Sequence, residues 1–254
     1  MFADIEKTAQ LLEEAGRDLT VLQRLRRIAD CFPCDVVFTT SFGIEDQVIT
    51  HIIATEKLPF RILTLDTGRF FPETYDLWAR TEQKYGLRIR AFYPHANALE
   101  ALIADQGING FYYSRQMRQS CCAVRKVEPL QRALKGAKVW LTGMRRDQSA
   151  ARQNVQFTAY DKQRGLLKIN PLYDLGRDDI NAYAKSANVP VNVLHAAGFL
   201  SIGCACCTRS IAPGEDERAG RWWWETDSAK ECGLHNTKAD ARSTPAGQST
   251  PLPL

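Results

Sequence analysis

The chain has 254 residues, 44% of them hydrophobic and 24% charged, with a net charge of +4. That length can bury a full core in one α/β domain with an appendage. No apolar run reaches the length of a membrane span, and the charge excess is too mild to mark a nucleic-acid binder. Eight cysteines stand behind an N-terminus, Met1-Phe2-Ala3-Asp4, that lacks the basic-then-apolar pattern of a signal peptide. The pair of observations predicts a reducing, cytoplasmic setting and metal or redox use of the thiols, not a disulfide framework.

Helical periodicity opens the chain. Ile5, Ala9 and Leu12 form one stripe, and Leu19, Leu22, Leu25 and Ile28 form another beyond a break at Gly16. Cys31-Phe32-Pro33-Cys34 follows; with no second half-site left for it, it reads as a pair of structural thiols in a helix-to-strand loop. Residues 35–40 predict a buried strand and 44–54 a helix, joined by Ser41-Phe42-Gly43. A short turn of hydroxyl and glycine entering a helix is a ready anion site, because the first N–H groups of the helix are unpaired. It is not a Walker A loop, since no Gly-Lys-Ser/Thr is present.

The strand–helix rhythm then repeats. Strands are predicted at 61–65, 87–93 and 138–142, helices at 72–85 and 97–105, and a long irregular-to-helical segment at 110–135. Residues 155–161 and 166–170 resemble a hairpin, and 178–187 a helix that Pro190 cannot extend. The pattern predicts an α/β fold with a mostly parallel sheet covered by helices on both faces, and ligands at the carboxyl ends of the strands. Ser41, Asp66 and Gly143 all fall at such ends. A core of 1–210 and a C-terminal segment of 211–254 are expected, the last stretch being rich in Thr, Ser, Pro and Ala.

Five of the cysteines sit in two tight groups, Cys121-Cys122 and Cys204-Ala205-Cys206-Cys207. With Cys206 set aside, Cys121, Cys122, Cys204 and Cys207 supply four thiolates, a set that suits either a tetrahedral zinc or an iron–sulfur cluster. The vicinal pair argues against a routine zinc site, whose ligands come as two spaced pairs. Further on, Trp222-Trp223-Trp224 is expected to pack one face and leave another in a cleft or interface. Cys232, in Glu231-Cys232-Gly233-Leu234-His235, belongs to neither group and is a candidate nucleophile. The charge of Glu231 would raise its thiol pKa unless nearby arginines outweigh it.

Six motifs carry a family resemblance running from about Val36 to His235: Ser41-Phe42-Gly43-x-Glu45-Asp46; Leu65-Asp66-Thr67-Gly68-Arg69; Cys121-Cys122 with Lys126; Thr142-Gly143 through Arg145-Arg146-Asp147-Gln148-Ser149 with Arg152; Gly203-Cys204-x-x-Cys207-Thr208-Arg209; and the Glu-Cys-Gly-Leu-His end. In these the chain resembles the assimilatory, iron–sulfur type of the phosphoadenylyl-sulfate/adenylyl-sulfate reductase family. The resemblance implies a fold like the adenine-nucleotide α-hydrolases with a modified pyrophosphate loop, a [4Fe–4S] cluster, and reduction of adenylyl sulfate to sulfite and AMP by thioredoxin in sulfate assimilation. It makes Cys121, Cys122, Cys204 and Cys207 the cluster ligands and Cys232 the nucleophile. Lys126 would lie between cluster and substrate, while Ser41, Gly43, Asp66, Gly143, Arg152, Arg218, Arg221 and His235 would hold the nucleotide and its sulfate. It also implies no nucleic-acid or membrane partner and is compatible with a homo-oligomer. Cys206 stands where the family often has proline.

The residues fit that chemistry on their own terms. Adenylyl sulfate is a phosphate–sulfate anhydride, and arginine forks bind such oxyanions bidentately. Rival readings are a phosphoadenylyl-sulfate reductase, whose members generally lack the cluster cysteines, and an ATP-cleaving ligase, whose loop should read Ser-Gly-Gly-x-Asp-Ser. A non-catalytic zinc module would want a dense basic face.

Overall fold

The computed structural model describes residues 2–225, 231, 233 and 234. Two helices lead in, α1 (Phe2–Gly16) and α2 (Val21–Cys31). Thr20 starts α2 with a capping box, its side chain accepting from Gln23 N while Gln23 accepts from Thr20 N. Next come β1 (Val36–Thr40), α3 (Ile44–Thr55), β2 (Arg61–Leu65), α4 (Pro72–Tyr85), β3 (Arg90–Phe92), α5 (Ala96–Gln106), α6 (Arg115–Cys122), α7 (Glu128–Ala133), β4 (Val139–Leu141), β5 (Thr158–Asp161), β6 (Leu166–Ile169) and α8 (Arg177–Ser186).

Six strands form one sheet in the order β3-β2-β1-β4-β6-β5, parallel throughout except that β5 runs antiparallel to β6 at one edge. Successive side chains of a strand point to opposite faces, and the two cores follow that alternation. Val36, Phe38, Val139, Leu141, Leu167 and Ile169 face a large core closed by residues such as Leu25, Ile28, Ile49, Leu77 and Ile180 of α2, α3, α4 and α8. Val37, Trp140 and Leu166 face a smaller core closed by Leu130 and Ala133 of α7. The mostly parallel α/β sheet expected from the rhythm is thus present, with helices on both faces.

Three expected elements differ. The strand anticipated at 155–161 begins only at Thr158. The strand anticipated at 87–93 shortens to Arg90–Phe92. Gly86 ends α4 in the left-handed region at φ 62°, and the N–H of Ile89 then donates to the Glu82 carboxylate instead of to a neighbouring strand. The segment 110–135 resolves into a 3-10 turn at Gly110–Tyr112, α6, a π-helical turn at Ala123–Val127, and α7. π turns inside helices are rare and cluster at functional sites. This one follows Cys121-Cys122 directly and carries Arg125 and Lys126.

The strand order reverses beside β1, which has β2 on one side and β4 on the other. Chains leaving such neighbours diverge to opposite faces and open a crevice at their carboxyl ends. Thr40-Ser41 and Thr142-Gly143 lie at that crevice.

Candidate active site

An open cleft occupies the crevice. Its lining includes Ser41, Gly43, Gly143, Lys126, Arg152, Arg218, Arg221 and Glu231. Seven of the residues expected to hold a nucleotide or its sulfate are therefore brought together. Asp66 is not among the lining residues. Its carboxylate accepts from Gly68 N at 2.8 Å and from the Tyr75 hydroxyl at 2.9 Å, so it shapes the turn after β2. Cys232 and His235 lie outside the described residues.

The entrance to α3 is built as an anion loop. Phe42 adopts φ 61°, Gly43 is the N-cap, and no side chain caps the helix. The Asp46 carboxylate instead accepts from both Ser41 N, at 2.6 Å, and Ser41 Oγ, at 2.8 Å. Burial pushes the Asp46 carboxyl up to about 7 against the lowering effect of the Ser41 bonds. A group raised in the folded state from an ordinary 3.8 stabilises fully below that value and loses its contribution as pH climbs through about 7. Asp46→Asn keeps an acceptor for Ser41 without the charge. Its melting temperature relative to the parent should therefore rise as pH goes from about 5 to about 8, a differential of a few kcal/mol in stability. A flat difference across that range, measured by thermal denaturation, would contradict the assignment.

Gly143 lies hard against the start of α3. A Cβ there would lie 2.4 Å from Asp46 Oδ1 and 3.1 Å from Glu45 Cβ. Gly143→Ala should therefore destabilise by about 1–3 kcal/mol and weaken nucleotide binding, because β4 and the start of α3 would be forced apart. Denaturant titration and AMP calorimetry on the one variant check both effects.

Beneath the cleft runs an ion-pair network whose members are far apart in sequence. Arg145, fully buried, donates through Nε and Nη2 to Glu45 at 2.9 and 2.8 Å, through Nη2 to Glu217 at 2.8 Å, and also pairs with Asp147. Arg177 reaches Glu217 at 3.3 Å. Burial alone would push the Glu45 carboxyl up; Arg145 and Arg177 outweigh it and hold it below its ordinary value. A buried pair broken on one side is costly, so the network clamps the 211–225 stretch to the anion loop. Glu45 and Arg145 stand within the sequence motifs, whereas Glu217, the second carboxylate on Arg145, lies in none of them.

The second assembly is the cysteine cavity. It is lined by Cys121, Cys122, Cys204, Cys206 and Cys207 together with Arg69, Phe111, Arg118, Arg125, Lys126 and Trp222. The turn after β2 holds one side of it: Thr67 Oγ1 lies 3.3 Å from Cys204 Sγ, and Arg69 O accepts from Ala205 N at 2.8 Å. The stretch before the tryptophans holds the other, through a bridge between Thr208 and Arg221 and a bond from Trp222 N to Cys207 O. Trp222 is buried with the thiols at 1% exposure while Trp223 is 40% exposed, as the one-face expectation required. Arg118 and Arg221 stack on Trp222 at 4.7 and 4.8 Å. Burial pushes the Cys121 thiol up, an effect that metal binding would have to overcome. The thiols converge on one cavity but not on one point: among the described residues, no group of three or more His, Cys, Asp or Glu is spaced to hold a single metal ion.

Lys126 and Trp222 line both the cleft and the cysteine cavity. The π turn aims Lys126 at that partition, one turn beyond the vicinal cysteines.

Lys168, on β6, was not anticipated. It stacks on Trp140 at 5.2 Å, and burial pulls its amine down to about 8. No helix among the described residues is long and apolar enough to cross a membrane.

Comparison with known proteins gives a consistent picture. Residues 35–210 match the model of the phosphoadenosine phosphosulfate reductase domain. The chain is 52% identical over 215 residues to the adenosine 5'-phosphosulfate reductase of Agrobacterium fabrum, covering 85% of this chain and 82% of that one. It is 47% identical over 245 residues to the adenosine 5'-phosphosulfate reductase of Sinorhizobium fredii, covering 96% and 97%. Among solved structures, phosphoadenylyl-sulfate reductase from Candida auris in a phosphate complex superposes with a TM-score of 0.67 at 28% identity, over 78% of this chain and 94% of that one.

Proposed function

The chain belongs to the phosphoadenosine phosphosulfate reductase family, and we propose that it reduces adenylyl sulfate to sulfite and AMP with thioredoxin as the electron donor. The observation that carries this reading is the partition at Lys126, with an arginine-lined nucleotide cleft on one side and a five-thiol cavity on the other.

In this reading the anion loop at Ser41-Gly43 and the facing Gly143 receive the nucleotide's phosphate, and Arg152, Arg218 and Arg221 hold the outward oxygens of that phosphate and of the sulfate. Guanidinium forks match a tetrahedral oxyanion two oxygens at a time. Lys126 adds a compact positive charge where the anhydride oxygens would lie. The Cys232 thiolate attacks the sulfur, the S–O bond breaks, and AMP departs with the electron pair, leaving a cysteine S-sulfonate. One thioredoxin thiolate then attacks Cys232 Sγ and releases sulfite. Its second thiol resolves the mixed disulfide, so the dithiol supplies both electrons. Before substrate enters, the ion pairs of Glu231 with Arg152 and Arg218 offset its charge beside the proposed nucleophile.

A [4Fe–4S] cluster fits the cysteine cavity better than zinc. The vicinal pair Cys121-Cys122 departs from the two spaced pairs of a routine zinc site, and among the described residues the cavity lining offers five thiols with no histidine or carboxylate. Arg69, Arg118, Arg125 and Lys126 around the same cavity would offset the cluster's negative charge. Cys121, Cys122, Cys204 and Cys207 would hold it; when bound it orders these loops and shapes the field at Lys126.

Phosphoadenylyl sulfate is the second reading, favoured by the name of the matching domain and of the Candida auris relative. The relatives at about half identity favour adenylyl sulfate. Sulfite release by the iron-loaded protein, with reduced thioredoxin and each nucleotide in turn, decides between them. Release from neither would overturn the proposal.

A further inference from the structure

Arg152 and Arg218 face the cleft, yet their guanidinium groups already hold a carboxylate. Arg152 donates to Glu231 through Nε at 2.9 Å and Nη2 at 3.1 Å, a two-pronged contact, and Arg218 Nη2 adds a third bond at 3.3 Å. Arg221 contributes further positive charge, and together these arginines hold the Glu231 carboxyl below its ordinary value although burial works the other way. The backbone around Glu231 is fixed as well. Its carbonyl accepts from Arg118 Nη1 at 2.8 Å, and the Leu234 carbonyl accepts from Arg164 at 3.3 Å. Arg118 itself pairs with Glu225 at 2.8 and 2.9 Å. Glu231 is therefore seated on both its side chain and its main chain, with its two oxygens where an arginine fork expects an oxyanion.

We infer that Glu231 is a built-in competitor for the substrate's anion. Its carboxylate stands in for one edge of a sulfate or phosphate, so a nucleotide enters by exchanging with it and AMP leaves by the reverse exchange. The inference rests on the reading of Arg152 and Arg218 as anion-binding residues given above. It follows from the balance of contacts: an incoming oxyanion gains charge-assisted hydrogen bonds from Arg152 and Arg218 only as Glu231 gives up its own. The exchange is nearly even, and nucleotide affinity is left to the adenosine part. A product that keeps a phosphate is then released without a large barrier. Glu231 also directly precedes Cys232, so the exchange takes place one residue from the proposed nucleophile.

The test is the sign of an affinity change. Glu231→Gln keeps the shape and removes the charge; Glu231→Ala removes both and covers the case in which the glutamine packs badly. In the iron-loaded full chain, calorimetry with AMP should show binding tighter by roughly tenfold in both variants, the size of one charged hydrogen bond. Adenosine, which carries no anion, should bind within about twofold of the parent, and inhibition of sulfite formation by added AMP should strengthen in the glutamine variant. A merely structural role predicts weaker binding of both ligands. AMP binding unchanged or weakened in both variants, or adenosine tightened as much as AMP, would overturn the inference. Turnover of the parent with adenylyl sulfate, measured alongside, separates this failure from that of the functional reading. A parent that makes no sulfite but gains AMP affinity on losing Glu231 loses the reaction and keeps the exchange.

Discussion

Serine in place of Cys232 is expected to abolish sulfite formation, by at least about a thousandfold, while iron content and AMP affinity stay near those of the parent. The sulfur is the only atom the variant loses. Serine's hydroxyl has an alkoxide that is scarcely populated at neutral pH, so no nucleophile replaces the thiolate. The described contacts of the segment belong to its neighbours: Arg152 and Arg218 hold Glu231, and Arg164 holds the Leu234 carbonyl. Incubated with adenylyl sulfate and no reductant, the parent should gain the mass of one sulfonate on the peptide that contains Cys232, and the variant none. The other thiols give the control its force. Cys31 and Cys34 are exposed and adjoin the amino end of β1, at the opposite end of the strand from Ser41. Cys206 faces the cysteine cavity and not the cleft. Sulfonate on any of these three, in a Cys232→Ser variant that still turns over, would remove Cys232 from the mechanism.

Local patterns made much of this molecule legible, and the limits of that legibility are physical. The strands 36–40, 61–65 and 166–169 announced themselves as apolar runs between polar turns, and the turns fell where a parallel sheet places its ligands. Five of the cysteines stood out as two tight groups, which the fold brings to one cavity, and the arginines by motif. What stayed hidden were interactions between residues about 70 to 100 positions apart, such as Glu217 with Arg145 and Arg145 with Glu45. Sequence shows that charges exist, but only the sheet order, which sets Glu45 beside Arg145, and the return of the 211–225 stretch bring these three together. Likewise, the burial of Lys168 depends on β6 lying beside β4, a pairing that no local pattern encodes. The π turn left no trace because its five residues, Ala-Val-Arg-Lys-Val, are compatible with an ordinary helix. Asp66 shows the opposite limit. Its motif pointed to substrate, whereas its carboxylate is engaged by Gly68 and Tyr75, within its own turn and the helix that follows it.

Serine at Cys121, Cys122, Cys204 or Cys207 should remove most of the iron and, with it, activity, while serine at Cys206 should leave iron content unchanged. A hydroxyl is a poor ligand for iron beside a thiolate, and a cluster with three good ligands is exposed to loss. All five thiols line one cavity, so proximity alone does not choose the four. The choice comes from the family resemblance, in which Cys206 stands where proline is common, and the way each thiol is held is compatible with it. Cys204 is tied through Thr67 Oγ1, and Cys207 through its carbonyl to Trp222 N and its N–H to Cys204 O. Cys121 and Cys122 are fixed by α6 and the π turn that follows it. Cys206 shares a 3-10 turn with Cys207, its sulfur 3.8 Å away, and its carbonyl accepts from the Tyr112 hydroxyl at 2.7 Å. Its backbone is therefore held without help from the thiol, and serine there loses only a side chain that the proposed site does not use. Iron and acid-labile sulfide per chain, with the visible absorbance of the purified variants, give the readout. A Cys206→Ser variant that loses its iron while Cys207→Ser keeps it would exchange the roles of the two residues. Cys207 would then be the spare thiol, and the 3-10 turn would have to present Cys206 to the cluster in its place.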